Sequence, residues 1–293
     1  MKVITWLQSL VARIIDIQSR IHKIQEALGR IENRQAETAW DGRLASREFR
    51  TFSQWGEDGI LQALIKTIGI RQKIFIEFGV TNYTESNTRF LLMNNYWKGL
   101  VIDGNPDHIA YIKNDPIYWQ YHLKADCTFI TVENINRIFQ DNGITGDIGL
   151  LSIDIDGNDY WIWKEISVVN PAIVVVEYNA RFGIDRAVTV PYSPSFTREQ
   201  AHDSHIYYGA SLKALCHLGN EKGYAFVGTN SAGNNAFFVR RDLMASPLRE
   251  MTADEGFTKN QFSESRTPDG HLAFLTYEQE VALLEKLPLV DVA

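Results

Sequence analysis

The sequence predicts an α/β chain: a seven-stranded, mostly parallel sheet closed by an antiparallel hairpin and preceded by one long amphipathic helix. Three observations predict it. Short apolar runs alternate with helix-like segments, and five of those runs end on or beside an acid. Two further runs, YAFVGT and NAFFVR, flank the turn NSAGN. An aliphatic heptad pattern fills residues 3–31 without a break.

The helix comes first. Val3, Leu7, Leu10, Ile14, Ile17, Ile21, Ile24, Leu28 and Ile31 alternate spacings of four and three, with no proline and only Gly29 as a glycine. A 3.5-residue repeat keeps its a/d seam on a partner helix. Isoleucine at both a and d favours three or four strands over two. The expectation is a homo-oligomer through residues 3–31, although Arg13, Arg20 and Arg34 at g find few acidic e partners. Two other uses of such a helix are packing on its own domain and lying on a membrane surface through Trp6, Lys2, Arg13, Arg20 and Lys23. The expected organisation is a helix over 1–38, a linker over 39–50, the main domain over 51–245 and a polar tail over 246–293 packed on or beside it.

The strands follow in order: KIFIEFG (73–79), GLVIDG (99–104), YHLKAD (121–126), GDIGLLSID (146–154) and AIVVVEYN (172–179). Each is too short for a globular helix and rich in aliphatic residues. Helix-like segments between them imply right-handed crossovers and a parallel sheet covered on both faces. Glu77, Asp103, Asp126, Asp154 with Asp156, and Glu177 then gather at the carboxyl ends of the strands, where open α/β sheets bind ligands.

The stretch DIDGNDYWIWKE (154–165) has nearly the spacing of a calcium loop. Such a loop needs flanking helices and glycine at its sixth position. Here that position is Asp159, and a strand precedes it. The reading is instead a strand end turning through Gly157 into a short aromatic helix capped by Asp156, Asn158 or Asp159. Asp154 and Asp156 share a side of the extended chain. With Glu177 they form a candidate oxygen-ligand set for Mg²⁺ or another divalent cation, or act as bases unaided.

After the first strand, EFGVTNYTESNT has no dinucleotide or phosphate-loop fingerprint; it offers Gly79 with Thr81, Asn82 and Ser86. Asp103 holds the position that binds ribose hydroxyls, and Asp126 could accept from an adenine amino group. A nucleoside cofactor without phosphates fits, and S-adenosylmethionine is the obvious one. Taken together, FSQWGEDGIL (52–61), FIEFGVTNYTESNTRFLL (75–92), GLVIDGNP (99–106), LLSIDIDGND (150–159) and VVVEYN (174–179) resemble the FkbM-type S-adenosylmethionine-dependent methyltransferases over roughly residues 50–240. The resemblance implies a class I methyltransferase sheet and methylation of hydroxyls on sugars, glycans or polyketides. It implies that Glu77 and Gly79 sit at the methionine end of the cofactor, Asp103 at the ribose, Asp126 at the adenine, and Ser53 and Gln54 at the cofactor or substrate mouth. Asn82 and Asn105, inside the same motifs, are further cofactor candidates. Two departures stand out: Asp154-Ile-Asp156-Gly replaces a D-x-E-G form, and VTNYTESN replaces a more glycine-rich loop.

The irregular stretch 180–208 is the expected lid over the rim. It concentrates Tyr192, Arg198, His202, His205, Tyr207 and Tyr208, and His202 or His205 is a candidate base for methyl transfer to an alcohol. The hairpin turn reads first as structure, with Asn234 or Asn235 near a substrate if it closes the cleft.

The expected activity is therefore O-methylation of a sugar or glycan, such as a surface polysaccharide. N- or C-methylation of a small metabolite, or a non-catalytic coiled-coil scaffold with a degenerate domain, are the competing readings. A formal charge of −7 argues against a nucleic-acid partner. Cys127 and Cys216 match no metal spacing and suit a reduced, cytoplasmic setting, with peripheral contact at the inner membrane as an extension. No secretory signal is read at the N-terminus, and no apolar run approaches the roughly 20 residues that span a bilayer.

Overall fold

The computed structural model describes residues 2–35 and 40–292; within the first helix the side chains of 2–5, 7, 8, 12, 15, 18 and 19 stand outside that description. Val3 and Leu7 of the seam, and the expected helix end at Thr38, therefore lie outside the described residues or side chains.

Helix α1 (Lys2–Gln35) is continuous. It packs on its own domain through one face. Gly29 lies so close to Thr51 that an added Cβ would stand 2.2 Å from the hydroxyl oxygen. Gln25 donates to the Thr51 carbonyl, and Asn33 donates to Gln62 at 3.3 Å. The heptad seam turns the other way: Leu10, Ile14, Ile17, Ile21, Ile24, Leu28 and Ile31 are all exposed.

Helix α2 (Glu57–Ile68) leads into β1 (Ile74–Phe78), α3 (Arg89–Asn95), β2 (Lys98–Asp103), α4 (Pro106–Asn114), α5 (Ile117–Gln120) and β3 (Leu123–Cys127). Then come α6 (Ile135–Asp141), β4 (Gly146–Ile153), α7 (Asp159–Glu165) and β5 (Val169–Glu177). A two-residue strand β6 (Val188–Thr189) and the short helix α8 (Arg198–Ala201) interrupt the irregular stretch. Helix α9 (Leu212–Glu221) precedes the hairpin β7 (Tyr224–Thr229) and β8 (Asn235–Arg240).

The sheet order is β3-β2-β1-β4-β5-β8-β7, with β1 to β5 parallel and β8 antiparallel to both its neighbours. This is the expected seven-stranded, mostly parallel sheet with its antiparallel hairpin. Its inner strands are buried on both faces, which is why they read as nearly unbroken apolar runs. Ile76, Ile102, Leu151 and Val174 pack into one layer and Phe75, Val101, Leu150 and Val175 into the other. The order reverses between β1 and β4, so the crevice for a ligand opens beyond their carboxyl ends.

Residues 246–292 carry further secondary structure. They form α10 (Ala253–Gly256), α11 (Tyr277–Leu284) and β9 (Val290–Asp291), which pairs with β6. Capping boxes at Thr252/Glu255 and Thr276/Gln279 start the two helices by satisfying their first amides. Glu280 of α11 meets buried Arg181 at 2.6 Å. Among the described residues no helix is long and apolar enough to cross a membrane.

Candidate functional site: two joined cavities at the strand ends

Gly79 follows β1 with φ 66, the left-handed region that glycine enters without strain. Its bare Cα faces the Asp154 carbonyl; a Cβ there would lie 1.6 Å from the oxygen. This close approach joins the ends of β1 and β4 and leaves a cavity on either side.

The first cavity, about 460 Å³, lies over β1, β2 and the β3 exit. Asp103 stands in its wall. One carboxylate oxygen accepts the Thr81 amide at 2.9 Å; the other accepts the Asn105 amide at 2.8 Å and meets His108 Nδ1 at 3.0 Å. Asn105 also caps α4 through Asp107. Phe129 and Ile130 give the cavity an apolar wall, and Phe196 and Glu199, from the irregular stretch, form its opposite side.

The second cavity, about 450 Å³, is polar and lies over β4, β5 and the hairpin. Gly79, Thr81, Asp154 and Asp156 line both cavities, so the two share a wall. Glu77, Glu177, Gln54, Asn234, Asn235 and Glu264 also line the second, as does Arg198. Glu77 is caged: Ser86 and Thr88 hydroxyls each donate at 2.5 Å, and the Asn87 amide donates at 2.8 Å. Asp154, Asp156 and Glu177 each place a carboxylate oxygen within 4.8 Å of the other two. Glu177 is 6% exposed, and its Oε2 has no hydrogen-bond partner.

Burial pushes the carboxyls of Asp154 and Glu177 well above the usual range, and the neighbouring acids add to it. Asp156 is also raised by burial, against the pull of Arg198. Its side chain is 46% exposed, so solvent reaches it more than it reaches Glu177. Its backbone takes a left-handed turn at φ 54, and the residue lines both cavities. Arg198 contacts Asp156 Oδ1 at 2.5 Å and Glu264 Oε2 at 2.6 Å, with its guanidinium 4.4 Å from the Tyr208 ring centre. One cation thus ties the irregular stretch to the acid rim and to residues 259–264.

The sequence candidates divide as follows. Glu77, Gly79, Asp154, Asp156, Glu177 and Gln54 meet around the second cavity; Gly79, Asp103, Asn105, Asp154 and Asp156 meet around the first. Asp126 lines neither. Its register partner is Ile102, whereas Asp103 pairs with Cys127, and its carboxylate is taken by Thr128 and by Asn142. Ser53 is buried in a clamp instead: Asp58 Oδ2 accepts the amides of Thr51, Phe52 and Ser53 and the Ser53 hydroxyl. Asn82 spends its side-chain oxygen on Thr84. Neither His202 nor His205 lines either cavity. His202 Nδ1 accepts the Ser204 amide, and His205 occupies a left-handed turn at φ 57 whose carbonyl accepts from Arg198. Of the acids around the Gly157 turn, Asp159 holds the loop, accepting Ile155 and Gly157 amides at 2.9 Å each.

Sequence reasoning missed Phe129, Phe196, Phe262 and Glu264. Phe262 stacks on Trp55 with ring centres 5.5 Å apart at the rim of the second cavity. Residues 259–264 carry no periodicity, so only tertiary structure brings them here. Glu57, in the quoted SQWGED motif, accepts from Asn230 and Asn235 at 2.7 and 2.9 Å and so locks that motif to the hairpin.

No protein-family model and no curated protein matches the chain. Among solved structures, it is similar to the N-terminal domain of EvdMO1 with SAH bound, at 11% identity and TM-score 0.42, covering 73% of this chain and 94% of that one. It is also similar to an O-methyltransferase from Bacillus cereus in complex with SAH, at 13% identity and TM-score 0.42, covering 73% and 90%. A third is an S-adenosylmethionine-dependent methyltransferase from Clostridium acetobutylicum ATCC 824, at 8% identity and TM-score 0.40, covering 62% and 88%. At these values the fold assignment rests on the strand order itself.

Proposed function

We propose that this chain is an S-adenosylmethionine-dependent O-methyltransferase of the FkbM type, acting on a hydroxyl of a sugar or glycan with a divalent cation at Asp154, Asp156 and Glu177. The observation that carries this reading is the pair of cavities sharing one wall at Gly79, Thr81, Asp154 and Asp156. A two-substrate transfer needs donor and acceptor held in line across such a wall.

The first cavity suits the nucleoside: Asp103 stands at the end of the second strand, where a carboxylate accepts ribose hydroxyls, and Phe129 and Ile130 offer an apolar face to a base. No phosphate-binding loop follows β1, in keeping with a cofactor that carries no phosphate. The second cavity suits a polyol, with carboxylates and the amides Gln54, Asn234 and Asn235 as hydrogen-bonding groups. When bound, the cofactor supplies an electrophilic methyl group, and the cation supplies charge that favours an ionised hydroxyl. The residues fit a hard cation: three oxygen donors converge, and one buried oxygen of Glu177 has no partner. With both histidines away from the cavities, the carboxylates of the shared wall are the groups placed to take the acceptor proton.

The testing experiment is calorimetric titration of S-adenosylmethionine into the intact protein, with and without Mg²⁺, followed by a methyl-transfer screen over sugar acceptors. Saturable binding and transfer to a hydroxyl support the reading. Absence of binding under both conditions removes it and leaves the scaffold reading.

A further inference from the structure

The first helix presents two faces that do different work. Gln25, Gly29 and Asn33 fall at e, b and f of the heptad and hold α1 to its own domain. The a and d positions from Leu10 to Ile31 point away from that domain, and their exposure runs from 41% to 60%. Trp6 and Val11, at g and e, are exposed beside the same stripe at 63% and 54%. The exposed seam covers three heptads, a length of roughly 33 Å at about 1.5 Å per residue. A pair of such stripes would cover on the order of 1,300 Å², within the range of specific protein interfaces.

We propose that this face is occupied by further copies of the same chain, in a parallel bundle of three or four helices. The spacing selects the partner. A stripe that repeats every 3.5 residues stays in contact only with another helix carrying that repeat, and this chain supplies one at equal concentration. Isoleucine at Ile14, Ile17, Ile21 and Ile24 fills both a and d, the pattern that favours more than two strands. Charge selects the orientation. An antiparallel bundle sets g against g, bringing Arg13 and Arg20 of one helix against those of another. A parallel bundle sets Arg13 and Arg20 against the uncharged e residues Gln18 and Gln25 instead. Asp16 further neutralises Arg20 within its own helix at 2.9 Å.

Light scattering after gel filtration of the full chain tests this, alongside an Ile17→Glu/Ile21→Glu double variant. The expected result is a mass of three or four chains for the wild type and of one chain for the variant, with unchanged near-ultraviolet circular dichroism from the main domain. A wild-type monomer, or a variant that keeps the wild-type mass, overturns the proposal. So does a wild-type monomer that sediments with vesicles containing anionic lipid, which would give the stripe to a membrane surface. Orientation is read separately: an I14C variant, on a Cys127→Ser background that removes the exposed thiol, cross-links chain to chain on oxidation in a parallel bundle. Failure to cross-link, in a protein of oligomeric mass, overturns the parallel arrangement.

Discussion

Replacing Gly79 by alanine separates the cost of a turn from the cost of a close approach. An L-residue in the left-handed region costs about 1–2 kcal/mol. The added methyl would also stand 1.6 Å from the Asp154 carbonyl oxygen. To reach an ordinary contact near 3.4 Å, that carbonyl must retreat by about 1.8 Å. The register Glu77↔Ser152 ends the β1–β4 ladder just before this point, so the retreat opens the ladder's end and carries the Asp154 carboxylate with it. Overpacking of this kind adds about 1–3 kcal/mol. Gly143 is the control: its φ is 73, and a Cβ there meets nothing within 4 Å. The expected outcome is a loss of about 1–2 kcal/mol for Gly143→Ala and about 2–5 kcal/mol for Gly79→Ala, read by urea unfolding. Titration calorimetry should show cofactor affinity unchanged in the first and lowered in the second, and methyl transfer should slow about a hundredfold in the second, because a displacement near 1 Å at a reacting centre has that effect on rate. If Gly79→Ala binds the cofactor like the wild type and unfolds alongside Gly143→Ala, the shared-wall geometry is wrong.

Three other substitutions probe separate parts of the molecule. Asp103→Ala should abolish cofactor binding in the same titration, and binding that survives unchanged would refute the ribose placement. Glu177→Gln should weaken Mn²⁺ binding by about 10–100-fold while S-adenosylmethionine still binds, and equal Mn²⁺ affinity would exclude Glu177 as a ligand. Burial raises Asp58 from 3.8 to about 6 despite its four hydrogen bonds. A folded-state pKa above the unfolded one gives stability that is fully present below about pH 4 and lost as pH rises to about 6. Asp58→Asn should flatten that slope, worth at most about 3 kcal/mol, in thermal unfolding scans between pH 4 and 7; an unaltered slope would show that Asp58 stays ionised throughout.

The sheet was legible because parallel strands buried on both faces must be apolar throughout, and five such runs stand apart from their helices in the sequence. The acids at their ends were legible for the same reason: each breaks an apolar run where the strand leaves the core. Their directions were harder to read. Asp126 reads in the sequence as a strand end like Asp103, yet β3 runs on to Cys127 and register sets Asp126 beside Ile102; a one-residue offset sends a side chain to the other face. The histidines failed for a different reason. Residue type suggested a base, but a left-handed turn at His205 and a Ser204 contact at His202 decide where the side chains go, and neither leaves a periodic trace. Strands of two residues, β6 and β9, are too short for any pattern. Glu264 is held at the site by Arg181, Arg198 and the Tyr208 hydroxyl, a tertiary effect without a local signature.

The Trp55–Phe262 stack has a consequence for the order in which the enzyme is made. The second cavity draws one wall from the segment just before the first strand and another from residues emerging long after the last sheet strand. A ribosome can deliver all seven strands, and the first cavity with them, while the second still lacks Phe262, Ser263 and Glu264. The nascent chain would then complete one cavity while the other still lacks a wall. The second cavity is closed last, by the 259–264 segment, and a protease nick there would open that wall first.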